Sequence, residues 1–145
     1  MPPKIIEDYT ECGVNIGKIV RRIVKYAPPY SIHGLKEIAL LDKDSENIGF
    51  ASYSKKEKKI KIFVKDIIGW QPWFLKKSYI FPYLTIGLAL GHEIDHHFRS
   101  GVNGINKEIF AEKNALIYVY PSFGVFKYIV KFIFFIQRNY KRIKK

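Results

Sequence analysis

The chain of 145 residues is 48% hydrophobic and 16% aromatic, which excludes a disordered chain and fits one domain around one core. Its net charge of +12 suggests an acidic partner: nucleic acid, anionic lipid or an acidic peptide. A single cysteine, Cys12, excludes an internal disulfide, and the opening MPPKIIEDYTEC lacks the long apolar segment of a secretory signal, so the expected location is cytoplasmic.

Residues 14 to 26 carry Val14, Ile16, Ile19, Val20, Ile23 and Val24 at spacings of three and four, with basic residues between them. That pattern predicts an amphipathic helix with one stripe inward, ended by Pro28-Pro29. His33-Gly34 predicts a turn, followed by a strand from about 35 to 41 and a second turn at Asp42-Lys43-Asp44-Ser45. His33 is expected to have a surface or packing role. Ile48, Phe50 and Ser52, then Ile60, Ile62 and Val64, follow the two-residue period of half-buried strands and predict an antiparallel hairpin. Lysines on and beside its second strand suit a solvent-facing edge, which serves either as simple protection or to hold an extended peptide by its backbone. Residues 67 to 81 form an aromatic connection with Trp70, Trp73, Phe74, Tyr79 and Phe81. Its first reading is a cover over the core; a roof over a cleft and a membrane-interface contact are the alternatives.

A helix is expected at about 82 to 99, with Pro82 near its start, Ser78 as a candidate cap and Arg99-Ser100-Gly101 at its end. It carries GHEIDHH, in which His92 and His96 stand four residues apart and lie on one helical face, where both imidazoles can reach one ion. Glu93 lies roughly 100° round the helix from His92, placed to take a proton from a metal-held water without being a ligand. Catalytic zinc needs a third protein ligand. After the break GVNG at 101 to 104 a second helix is expected, INKEIFAEKNALIYVY, with Asn106 as a cap. Glu108 and Glu112 share a face of it. Glu108 is the first candidate for the third ligand and Glu112 the alternative, with His97 a more distant one because it points about 100° away from His96. The remaining glutamate could fix the tautomer of a ligand histidine.

HEIDH followed by Glu108-Ile109-Phe110-Ala111-Glu112-Lys113-Asn114-Ala115 resembles the gluzincin metallopeptidase pattern, in which a glutamate helix written ExxAD or ExxAN follows HExxH. The departure is Glu112 where aspartate or asparagine is commoner. The nearest likeness is to the minigluzincins and the related ImmA-like domains, over about residues 30 to 120. This resemblance implies a zincin-like α+β fold: a small antiparallel or mixed sheet with an edge strand beside the HExxH helix, packed with the glutamate helix and a carboxy-terminal helix. It also implies Zn²⁺ held by His92, His96 and Glu108, with Glu112 supporting a histidine. The implied activity is hydrolysis of peptide bonds in an extended polypeptide by Glu93-assisted attack of zinc-bound water, with a latent, zymogen-like form in which a carboxy-terminal segment blocks the cleft.

From Leu116 to Ile136 the chain is apolar, but Pro121, Lys127 and Lys131 argue against a transmembrane helix. Lys127, Lys131 and Arg138 would form one polar stripe opposite Tyr128, Ile129, Phe132, Ile133 and Ile136. The chain therefore divides into a metallopeptidase domain, 1–120, and a basic, apolar helical segment, 121–145. That segment is expected to pack on the domain or a second subunit; an anionic membrane surface and the active cleft are alternatives. The competing function is a nucleic-acid-binding or regulatory module with a structural or degenerate metal site. Paired cysteines, a glycine-rich phosphate loop and an arginine-rich recognition helix are all missing from the sequence, which makes nucleic acid the less favoured partner.

Overall fold

The computed structural model describes residues 1–43, 49–76, 78, 80–101, 106–129 and 131–132. The fold is α+β, with helices packed on a four-stranded mixed sheet. Strand β1 (Lys4–Asp8) leads to helix α1 (Ile16–Tyr26), then to a short helix α2 (Pro29–Ile32) and strand β2 (Glu37–Leu41). Strands β3 (Ala51–Ser54) and β4 (Lys59–Phe63) follow, and β4 passes directly into α3 (Val64–Trp70). Helices α4 (Trp73–Lys76), α5 (Ile80–Phe98) and α6 (Asn106–Val119) precede a 3₁₀ segment, Tyr120–Phe126.

The sheet order is β1-β2-β4-β3. β1 and β4 both run parallel to β2, while β3 pairs antiparallel with β4. The hairpin expected around 48 to 64 is therefore present, though Ile48 lies outside the described residues. Its lysine-bearing second strand, β4, lies between β2 and β3, however, so the edge is the first strand, β3. Central β2 buries Ile38, Ala39 and Leu40 in succession, the mark of a strand covered on both faces. Gly34, at φ +76°, makes the turn into it in a backbone region that a side chain would strain.

Helix α1 turns Ile16, Ile19, Val20 and Ile23 wholly inward, and the Asn15 side chain caps its start by accepting from the Lys18 N–H at 2.8 Å. These residues meet Ile38 and Leu40 of β2, Ile60 and Ile62 of β4, and Ile86, Leu90 and Ile94 of α5 in one core. Helix α5 starts two residues before Pro82. Proline is tolerated there because the first-turn N–H groups lack intrahelical partners. The Ser78 hydroxyl accepts from the Phe81 N–H at 3.4 Å, as a cap should. Among the described residues no helix is long and apolar enough to cross a membrane.

The 67–81 connection differs from a core cover. Ile67 and Ile68 are buried, but Trp70, Trp73 and Phe74 face solvent. The 3₁₀ segment adds Phe123 to the core, and the Ser122 carbonyl accepts from Arg22 Nε at 2.8 Å and from the Tyr83 hydroxyl at 3.2 Å. Of the expected carboxy-terminal stripe, Ile133, Ile136 and Arg138 lie outside the described residues, whereas Tyr128, Ile129 and Phe132 are described and exposed rather than packed on the domain.

Candidate metal centre

Two helices build the site. Glycines bring them together: a Cβ at Gly91 would collide with the carbonyl oxygen of Ala115, and one at Gly87 would fall 2.7 Å from Val119 Cγ1. Ala111 and Ala115 of α6 are buried at the same seam. Small residues on both sides let the backbones approach closely, and this proximity carries Glu108, on the first turn of α6, over the histidines of α5.

His92 Nε2 lies 2.9 Å from His96 Nε2. One oxygen of Glu108 is 3.2 Å from His92 Nε2, and the other is 3.3 Å from His96 Nε2. An ion bound tetrahedrally with bonds of about 2.0–2.1 Å has ligand atoms roughly 3.3 Å apart. The two ring nitrogens and the two Glu108 oxygens are therefore spaced at or slightly inside what such an ion needs, and two neutral imidazoles with one carboxylate are a suitable donor set. His92, Glu93 and His96 also offer ligand atoms that all lie within 4.8 Å of one another, so the group can hold a metal ion. Burial lowers the His96 pKa, against the opposing pull of the Glu108 charge, and so favours the neutral donor form.

Glu93 is buried, and its carboxyl is pushed up from 4.5 to about 7. Burial is the main cause and the negative charge of Glu108 adds to it; Lys107 and a hydrogen bond from the Tyr53 backbone N–H act the other way. That N–H is available because of strand register. The Phe63 N–H donates to the Phe50 carbonyl at 2.9 Å, and antiparallel ladders alternate. Ala51 and Tyr53 consequently turn their backbone groups away from β4, toward the open edge that α5 faces.

His97 does not join the metal group. Its Nε2 donates to the His33 carbonyl at 2.9 Å, which leaves Nδ1 to accept from the Tyr53 hydroxyl, also at 2.9 Å. The side chain of His33 is exposed, so its contribution is this carbonyl. Glu112 is exposed, and none of the described hydrogen bonds or ion pairs joins it to either histidine. Among the described residues the buried Nδ1 of His96 has no hydrogen-bond partner.

Sequence reasoning missed two features. One is Tyr53, whose backbone N–H draws the Glu93 pKa down and whose hydroxyl bonds His97 at 2.9 Å. The other is Asp95, fully buried within HEIDH, which accepts from Tyr118 Oη at 2.6 Å, Arg99 Nε at 3.1 Å and Asn114 Nδ2 at 3.3 Å. It locks α6 against α5. A carboxylate in an otherwise apolar helix, four residues before an arginine, was the available signal for it. Among the tyrosines near the core elements, Tyr118 has its hydroxyl committed to Asp95 and Tyr83 donates to the Ser122 carbonyl.

A cavity of about 390 Å³ opens beside this group, lined by Phe50, Ala51, Trp70, Leu88, His92 and Glu93 among others. It runs between the β3 edge and α5. No protein-family model, curated protein or solved structure matches the chain, so the reading of this centre rests on its own geometry.

Proposed function

We propose that the chain is a zinc-dependent metallopeptidase of the gluzincin type. The carrying observation is the convergence of His92 Nε2, His96 Nε2 and the Glu108 carboxylate at 2.9, 3.2 and 3.3 Å, with Glu93 buried one residue along the helix. His92, His96 and Glu108 would hold Zn²⁺. When bound, the ion supplies Lewis-acid polarisation of a carbonyl and acidification of a water.

The remaining chemistry belongs to the chain. Glu93 takes a proton on its carboxylate and returns it to the departing amine; its burial favours the protonated form, and a bound cation would favour the ionised one, so the two together suit transfer in both directions. The outward N–H and C=O groups of Ala51 and Tyr53 offer an extended peptide a strand to pair with. The apolar cavity beside His92 and Glu93 can exclude water from one substrate side chain. This arrangement favours a zincin-like reading of the fold and extended polypeptide as the substrate class.

The test is peptide hydrolysis by zinc-loaded protein, followed by mass spectrometry on an unfolded protein substrate. Glu93→Gln should abolish cleavage by a factor of at least about 100 while retaining one zinc per chain. Cleavage that survives Glu93→Gln would reject the assignment.

A further inference from the structure

Both tryptophans of the chain, Trp70 and Trp73, lie within four residues of each other, and Phe74 follows directly. Trp70 ends α3, while Trp73 and Phe74 open α4. They are among the most exposed large apolar side chains, at 72%, 78% and 60% of full accessibility. The Trp70 ring pairs with exposed Phe50 at 6.0 Å, and Trp73 pairs edge-on with Phe74 at 6.0 Å. An aromatic ridge of this kind on a soluble-looking surface marks a contact site.

Charge and shape decide what it contacts. From residue 67 to residue 92 the sequence has no aspartate or glutamate, while Lys76 and Lys77 follow Phe74 almost at once. The whole chain carries +12. Lysine is depleted from the cores of protein interfaces. Tryptophan and phenylalanine flanked by lysine are instead what a bilayer surface selects, because the rings settle at headgroup depth and the lysines reach anionic headgroups. Trp73 and Phe74 protrude from the four-residue α4 and Trp70 from the end of α3, so the three rings stand clear of the body for insertion.

We propose that Trp70, Trp73 and Phe74, with the neighbouring Lys76, dock the protein on an anionic lipid bilayer. This site does not depend on the metallopeptidase reading. It does bear on it, since Trp70 and Phe50 also line the cavity that reaches His92 and Glu93. Docking therefore sets the mouth of that cavity at the lipid surface, where membrane-proximal polypeptide is within reach.

The two tryptophans make intrinsic fluorescence a reporter of the ridge alone. Full-length protein is titrated with phosphatidylcholine vesicles and with vesicles of phosphatidylcholine and phosphatidylglycerol. The expected result is a blue-shifted emission with the anionic vesicles, quenched by lipids brominated on their acyl chains. Sedimentation with the anionic vesicles should be about tenfold or more stronger than with the neutral ones. Trp73→Ser/Phe74→Ser, whose circular dichroism melt checks its fold, should sediment about tenfold more weakly. Should that variant not fold, brominated-lipid quenching of the unmodified chain decides. An emission unchanged by anionic vesicles, or sedimentation that the folded double variant retains in full, would overturn the proposal. A shift that follows protein concentration without lipid would also overturn it, assigning the ridge to a second copy of the chain.

Discussion

Burial lifts the Glu93 carboxyl from 4.5 to about 7, so between those values the metal-free folded protein keeps a proton that the unfolded chain has released. Its stabilising share is fully present below about 4.5 and is lost as pH rises to about 7. That gap corresponds to about 3 kcal/mol as an order of magnitude. Glu93→Gln should therefore flatten the fall in stability between pH 5 and pH 8. At pH 8 it should leave the metal-free protein more stable by roughly 2–3 kcal/mol in urea unfolding with chelator present. An unchanged pH slope would mean that Glu93 is not buried as described. Asp95 is also a buried carboxylate, and three donors hold it. Tyr118→Phe removes the shortest of these bonds, 2.6 Å, and should cost about 1.5–3 kcal/mol, the range for a hydrogen bond to a charged group.

Helix α6 reaches the site only as closely as Gly91 permits. Gly91→Ala would gain up to about 1 kcal/mol in helix propensity but force the new methyl against the Ala115 carbonyl, and overpacking of that kind costs about 1–3 kcal/mol. Net destabilisation is expected in thermal unfolding, together with weaker zinc binding because Glu108 moves with α6. The elements that were legible in the sequence are those with a local signal of their own: α1, β2 after its His33-Gly34 turn, α5, α6 and the β3–β4 hairpin. β1 was not. KIIED has two isoleucines between charged residues and becomes a strand because β2, 33 positions along, offers a parallel partner. The aromatic connection was misread for a related reason, since composition gives apolar character without saying which side faces the core. At the site, the i, i+4 spacings of His92 and His96 and of Glu108 and Glu112 pointed to the region. Glu108 was already the first candidate for a third ligand, whereas finding Tyr53 and Asp95 required the packing of α6 and β3 against α5.

For the molecule as a whole, metal and fold should be linked. Zinc at a hundredfold excess over its dissociation constant adds about 2.7 kcal/mol, which for a chain of this size raises Tm by roughly 5–10 °C. Glu108→Ala should shrink that gain while leaving the metal-free Tm nearly unchanged, because the Glu108 side chain is 69% exposed and carries no core packing. Glu112→Ala should leave both values intact. The reverse pattern would transfer the ligand role to Glu112. The basic surface and aromatic ridge are separable from this linkage, so lipid binding should persist in chelator.

The most direct measurement is an anomalous difference map at the zinc edge from crystals of zinc-loaded protein. The account predicts one peak about 2.0–2.2 Å from His92 Nε2, His96 Nε2 and a Glu108 oxygen, with a position left for solvent and Glu93 outside the coordination sphere. A peak ligated by Glu93 in place of Glu108, or no peak between the two helices, would contradict it.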